Sequence, residues 1–294
     1  MNIPLVYVEW TVNPVIFSIG SLSLRWYGLL LTIGFVLAYF TLQRVFKNEN
    51  VSPDLLDKLA VWAIVWTLVG LRVGHFLFYE TSYLLEHPLQ VLLPFDEQWH
   101  FTGYQGLASH GGVLGIVLFL IYFAWKHKIN IFWLFDRMAV CVLIPATLVR
   151  LGNLMNHEIV GSITTVPWAF NFTMGGPGIA DTFRHPAQLY EAVVYLAAYL
   201  GILYYYFKIA KGKVPPGRLI GVLFVVVFIA RFIIEFFKEV QVAKENTMTL
   251  DIGQWLSIPF VLVGIAFIAY SIRHQHQCPR VAPDKNNKNR KTSL

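Results

Sequence analysis

The sequence predicts an all-α integral membrane protein with seven transmembrane helices, its N-terminus outside, its C-terminus in the cytoplasm and a small cap on the exterior face. Three observations carry this. Of the 294 residues, 56% are hydrophobic and 14% charged, whereas a soluble domain carries roughly 25% charged residues. Apolar stretches of about 20 residues recur, each long enough to cross a hydrocarbon core about 30 Å thick. Lys and Arg gather in alternate connections, as they do when one side of the membrane is cytoplasmic. A water-soluble globule is excluded. So are a disordered chain, given 16% aromatic residues, and a disulfide scaffold, given two Cys of which one (Cys141) lies in an apolar segment and the other (Cys278) in a polar tail.

In chain order the apolar segments are centred on 24–45, 56–79, 113–125, 132–151, 187–207, 219–237 and 252–272. The third is short, but Gly111 and Gly112 extend it back to His110, enough for a thin or tilted crossing. One set of connections holds Arg44, Lys47 and Lys58, then Lys126 and Lys128, then Lys208, Lys211, Lys213 and Arg218, then six basic residues from Arg273 to Lys291. These are fifteen of the 23 Lys and Arg, and they assign that side to the cytoplasm. The opposite loops hold Arg184, Lys238 and Lys244. The first 24 residues have no Lys or Arg and include Glu9, so no secretory signal is expected and the first span is retained as its own anchor. Trp10, Trp26, Trp99 and Trp168 fall at the outer boundaries, where an aromatic belt belongs. The membrane domain is therefore 1–274. The segment 275–294 reads as a basic cytoplasmic tail, too polar to pack and expected to be disordered. Two exterior segments, 80–109 and 153–184, are too long for hairpins and are expected to build the cap.

Five basic residues stand in or beside apolar segments: Arg25, Arg72, Arg137, Arg150 and Arg231. Each costs free energy unless it meets protein, water or a headgroup. Arg25 begins the first span and can snorkel outward, and Arg137 beside Asp136 reads as a charged boundary. Arg72, Arg150 and Arg231 all lie toward the outer ends of their spans. Guanidinium groups gathered at one depth make an anion site, because the planar fork matches phosphate and stays charged at any relevant pH. The structural alternative is neutralisation of carboxylates within the bundle, which the i,i+4 spacing of Arg231 and Glu235 fits.

Other polar groups stand at the same level. In Arg150-Leu-Gly-Asn153-Leu-Met-Asn156-His157-Glu158-Ile-Val-Gly161, steps of three would put Arg150, Asn153 and Asn156 on one helical face. His185-Pro-Ala-Gln188-Leu-Tyr190-Glu191 opens the fifth span with Pro near its first position. His110-Gly-Gly opens the third, where the glycines allow close backbone approach. The spacings of His110, His157, Glu158 and His185 match no zinc or iron signature. There is no nucleophile elbow and no nucleotide-binding Gly loop. No metal or cofactor is expected.

This set of motifs resembles the prolipoprotein diacylglyceryl transferase family over nearly the whole chain except the tail. The matching pieces are Arg25-Trp-Tyr27-Gly28, Gly70-Leu-Arg72-Val-Gly74, His110-Gly-Gly, the run from Arg150 to Gly161, His185 to Glu191, Arg231-Phe-Ile-Ile-Glu235, and Gly253-Gln254 followed by Ser257 and Pro259. The chain departs from the family pattern at Ser109, Ala187, Leu154 and His157, the last standing where Gly is more usual. The resemblance implies a bacterial inner-membrane enzyme with its active site toward the outer leaflet. Such an enzyme transfers the diacylglyceryl group of phosphatidylglycerol to the lipobox cysteine in the signal peptide of a prolipoprotein. A thioether forms and glycerol phosphate leaves. The family's functional positions fall on Tyr27, His110, Arg150, Asn153, Gly161, Arg231 and Glu235. Arg150 and Arg231 are expected to hold the phosphate, Asn153 and Glu235 to orient them or the glycerol head, and His110 to activate the thiol. Arg72, Asn156, Glu158, Gln188 and Tyr190 are expected to help bind the lipid. Two other classes compete: a transporter or flippase for anionic amphiphiles, which would leave its lipid chemically unchanged, and a scaffold whose Arg–Glu pairs are purely structural.

Overall fold

The structure is a computed structural model and describes residues 7–20, 22–87, 91, 108–239, 248–279 and 281. Most of the expected 80–109 cap segment, Trp99 and most of the basic tail lie outside them. The described residues fall into two compact units, one from Met1–Val45 and Phe135–Pro279, the other from Phe46–Leu134 and Arg280–Leu294.

The chain is mostly helical. Among the described residues, five helices are long and apolar enough to span a bilayer: α1 (Trp26–Asn48), α2 (Pro53–Tyr79), His110–His127 within α4 (Ser109–His127), Ala187–Ile209, which is α7 (Ala187–Tyr204) with the π-helical turn Tyr205–Ile209, and α9 (Ile252–Arg273). The pair α5 (Ile131–Cys141) and α6 (Leu143–Met155) bends by 40° and makes a sixth crossing if taken as one. The bend has a cause in the sequence. Pro145 has no N–H for the Cys141 carbonyl four residues back, so the helix breaks there. The remaining expected span is α8 (Arg218–Glu235), 18 residues long. It carries Arg218, Arg231 and Glu235, three charges in 18 residues. Side chains such as Phe40, Trp62, Val193 and Leu262 are more than half exposed, the pattern of helices whose outer faces meet lipid rather than water. The short helix α3 (Thr81–Glu86) follows α2.

The second unit is held by glycines. Gly70 and Gly74 of α2 lie against Gly111 and Gly115 of α4, and a Cβ added at any of them would strike the facing backbone. Two small-xxx-small faces thus let the helices touch. The spacing of His110-Gly-Gly is therefore spent on helix packing, and Gly111 is closed off by Gly70 and Gly74 rather than open to a ligand.

In the first unit, α8 and α9 approach through Gly221 and Gly264. The first turn of α8 is capped from a distance: buried Asp136 accepts from the backbone N–H groups of Gly217 (2.8 Å), Leu219 (2.9 Å) and Ile220 (3.0 Å), satisfying donors a helix start leaves open. Arg137, also buried, donates to the Gly212 carbonyl at 3.4 Å and lies over the Tyr206 ring. Asp136 and Arg137 are thus buried tertiary anchors, and not the charged boundary pair their adjacency suggests. The α9 start is closed by an Asp251–Gln254 capping box.

Among the described residues, five short strands qualify the all-α expectation. β2 (Val15–Ile19) and β3 (Leu22–Arg25) form a hairpin leading into α1. β1 (Val8–Trp10) pairs in parallel with β4 (Phe170–Phe172), which pairs antiparallel with β5 (Phe183–Arg184). Leu154, Val160, Phe170 and Phe172 form the core beneath this sheet, with Val8 and Trp10 against it. Trp10 donates to the Leu154 carbonyl at 3.0 Å, so it serves this small core rather than a belt. Arg184, 2% exposed, ties the segment together by donating to the carbonyls of Gly161 (3.2 Å) and Gly178 (2.6 Å) and pairing with Glu239 at 2.9 Å.

Candidate functional site

The polar residues of the first unit converge at one end of α6, α7 and α8. Arg150 lies on the last turns of α6, and its Nη1 donates to the Asn153 side-chain oxygen at 3.3 Å, one turn on. Asn153 donates to the Glu158 carboxylate at 2.8 Å and Asn156 to the same oxygen at 3.2 Å. The helix continues far enough for the three-residue steps to work, since Met155 ends it and Asn156 is still in helical conformation. Tyr27, in the first turn of α1, lies on Gly152, where a Cβ would come within 2.8 Å of its ring. That close approach keeps the Tyr27 hydroxyl in the field of Arg150 and Glu158.

Glu191, entirely buried in the second turn of α7, is the hub. It ion-pairs with Arg150 through Oε2, and its Oε1 lies 2.7 Å from the Lys238 ammonium. Lys238 also reaches Glu235 at 3.1 Å. The Glu235 carboxylate rests on Gly253, where any Cβ would collide with it. Arg150, Glu191, Lys238 and Glu235 thus sum to zero charge, as a network in low dielectric must if it is to stay ionised.

Arg231 differs. The i,i+4 pair with Glu235, on which the structural alternative rested, does not form, because Glu235 turns to Lys238. Among the described residues Arg231 has no ion pair or hydrogen bond, although it is partly buried. Tyr195 of α7, one turn after Glu191, lies in the field of both Arg150 and Arg231. One cation is therefore held and compensated; the other is left available.

Around this centre, Gln188 donates to the Glu158 carbonyl at 2.6 Å. The Tyr190 hydroxyl accepts from Trp168 at 2.8 Å and lies 3.0 Å from His185 Nδ1. Burial holds the His185 imidazole below its ordinary range. Gly161 is clamped between His185 and Phe237: its N–H donates to the His185 carbonyl at 2.9 Å, and a Cβ would stand 2.5 Å from both carbonyl oxygens. His157 has φ +55°, in the left-handed region glycine favours. Its ring, 2.8 Å from the Val12 carbonyl, offers a contact that offsets that cost.

His110 and Arg72 belong to the second unit. His110 is exposed in the first turn of α4. Arg72 is buried, donates from Nε to the Val91 carbonyl at 2.9 Å and lies 4.7 Å from the Phe76 ring centre. Sequence reasoning passed over Lys238, Glu191 and Tyr195 as site residues. The signal for Glu191 and Tyr195 was present, an intramembrane carboxylate with a tyrosine at i+4, whereas Lys238 was counted among the loop charges.

The family model described as prolipoprotein diacylglyceryl transferase matches residues 14–270. The chain belongs to that family. It is 40% identical over 274 residues to a protein of Bacteroides fragilis named phosphatidylglycerol–prolipoprotein diacylglyceryl transferase, covering 92% of this chain and 97% of the relative. Proteins of the same name from Tolumonas auensis and Chloroherpeton thalassium are 39% and 38% identical, covering 90% and 91% of this chain and 98% and 95% of theirs. In this diacylglyceryl transferase family member the matched span takes in every residue of the Arg150–Glu191–Lys238–Glu235 network.

Proposed function

We propose that this enzyme transfers the diacylglyceryl group of phosphatidylglycerol to the cysteine of a prolipoprotein lipobox, with Arg150 and Arg231 holding the phosphate. The observation that carries the assignment is the contrast between those two residues: Arg150 is compensated by Glu191, whereas Arg231, near the same Tyr195, carries an unmatched positive charge. An unmatched guanidinium in a partly buried position favours an anionic guest.

In the reaction the cysteine thiol gives up its proton and the sulfur forms a bond to the terminal glyceryl carbon of the lipid. The bond from that carbon to the phosphate oxygen breaks, and glycerol phosphate leaves with the electron pair. The developing charge falls on phosphate oxygens, so contacts from Arg150 and Arg231 strengthen as the bond breaks. A fixed donor of this kind contributes about 3 kcal/mol. Tyr27, Asn153 and Glu235 orient the two cations or the glycerol head, and His110 receives the thiol proton. Asn156, Glu158, Gly161, Gln188, Tyr190 and Arg72 shape the lipid's surroundings. The reading includes seven crossings, α8 among them, with the N-terminus outside, the C-terminus cytoplasmic and the reaction at the outer leaflet of the bacterial inner membrane.

The purified protein incubated with phosphatidylglycerol and a synthetic lipobox peptide is expected to add one diacylglyceryl mass to the peptide. A peptide of unchanged mass, with lipid moved between leaflets of a vesicle, would establish the transporter instead.

A further inference from the structure

A second polar–apolar site lies at the other end of the same helices. A groove of about 440 Å³ is lined by Ala198, Gly201, Ile202 and Tyr205 of α7 and its π-helical turn, by Arg218, Leu219, Val222 and Val226 of α8, and by Ile268 and Ile272 of α9. Arg150's partner Glu191 is in the second turn of α7, and Gly201 follows ten residues later, about 15 Å along the axis. Arg231 and Arg218 are separated by thirteen residues of α8, about 20 Å. The groove therefore opens toward the leaflet opposite the Arg150–Arg231 centre.

Gly201 shapes it. A glycine in a helix interior costs about 1 kcal/mol relative to alanine, and most buried glycines here repay that by letting backbones touch. Gly201 does not: a Cβ there would meet nothing within 4 Å. Its effect is to leave the groove open. Arg218 is the one charged residue of the lining. Its Nε donates to Ser271 at 2.7 Å, which fixes the guanidinium, and among the described residues no carboxylate pairs with it. The nearby connection adds exposed Lys208, Lys211 and Lys213. No Asp or Glu occurs between Glu191 and Glu235, or between Asp251 and Asp284. The acid that does reach the α8 start, Asp136, is buried and bound by three backbone N–H groups.

We propose that this groove binds one anionic phospholipid of that leaflet, an acyl chain lying over Gly201 and the phosphate on Arg218. The shape is that of an amphiphile: a slot without polar lining except at one end, where a fixed cation stands among further basic residues. A groove of this size falls within the range that retains a discrete ligand. The site is separate from the transfer centre and does not rest on the assignment of that centre.

Native mass spectrometry of the full chain in detergent tests it, with equal amounts of dioleoyl phosphatidylserine and dioleoyl phosphatidylcholine as probes; neither is phosphatidylglycerol. One phosphatidylserine is expected to be retained in preference to phosphatidylcholine. Gly201→Trp, whose Cβ meets open space and whose ring would occupy the slot, and Arg218→Gln are each expected to weaken retention about tenfold, worth about 1.4 kcal/mol. Arg231→Gln is expected to leave the lipid lost in Arg218→Gln in place, whatever it removes at the transfer centre. Equal retention of the two lipids, or loss in Arg231→Gln alone, would overturn the proposal. A shift of oligomeric mass in Gly201→Trp would do the same by making the groove a contact between copies. Gly201→Leu serves in place of the tryptophan variant if that one fails to fold.

Discussion

The Lys238 ammonium lies 2.7 Å from the Glu191 carboxylate. The same nitrogen is 3.1 Å from Glu235, so one lysine compensates two carboxylates that come from different helices. Removing it leaves two buried acids with Arg150 alone between them. Breaking a buried pair from one side costs about 3–5 kcal/mol, because the abandoned charge stays buried. Lys238→Met is therefore expected to lower the thermal unfolding midpoint in detergent sharply, and Lys238→Arg to restore most of it. A methionine variant as stable as the wild type would mean that Glu191 and Glu235 do not depend on this cation.

Arg150 and Arg231 are expected to separate activity from stability. Arg231 has no ion pair to lose, so Arg231→Gln is expected to fall within about 0.5 kcal/mol of wild-type stability while transfer drops by about a hundredfold or more. Arg150→Gln is expected to lose both, because Glu191 is left with Lys238 as its remaining cation. The measurement is paired: peptide lipidation by mass spectrometry and unfolding of the same preparations. Equal destabilisation by the two variants would assign both arginines to structure.

Legibility in the sequence followed the range of each interaction. The helices were readable because apolar length is a local property, and the Arg150, Asn153, Asn156 face was readable because a helix repeats every 3.6 residues. The strands were not. β4 and β5 are three and two residues long, and β1 finds its partner more than 150 residues away, so no local alternation marks them. The pairing of Arg231 with Glu235 was the sound local reading, yet Lys238 lies only three residues past Glu235 and also reaches Glu191 on another helix. Asp136 and Arg137 misled for the same reason: adjacency is visible in the sequence, but the helix start that Asp136 caps, some eighty residues on, is not.

His185 supplies a pH dependence. Burial keeps its imidazole below the ordinary value, so the folded state binds that proton less readily than the unfolded chain. Stability is then fully present above the ordinary histidine pKa of about 6.5 and is lost as pH falls from there through the lower folded value. The unfolding midpoint is expected to decline between neutral and mildly acidic pH, and His185→Gln to flatten that part of the curve. A decline of the same size in the variant would place the titrating group elsewhere.

Gly161 joins the segment between α6 and α7 to the end of α8. Its N–H donates to the His185 carbonyl and the following N–H, of Ser162, donates to the Phe237 carbonyl, each at 2.9 Å. These bonds bring three backbones so close that an alanine methyl at 161 would stand 2.5 Å from two carbonyl oxygens and 2.6 Å from the His185 Cβ. None of these is the end of a flexible side chain, so the strands must part. Parting them displaces Phe237, the residue before Lys238, and with it the ammonium that compensates Glu191 and Glu235. Gly161→Ala is accordingly expected to destabilise by about 2–3 kcal/mol and to abolish transfer, because the network is displaced together with the backbone beside the lipid. Gly201→Ala is the control: its methyl meets open space, and the gain in helix propensity is expected to raise the unfolding midpoint slightly with transfer unchanged. If Gly161→Ala unfolds like the wild type yet transfers nothing, the glycine acts on the substrate directly and the clamp between His185 and Phe237 is not its reason.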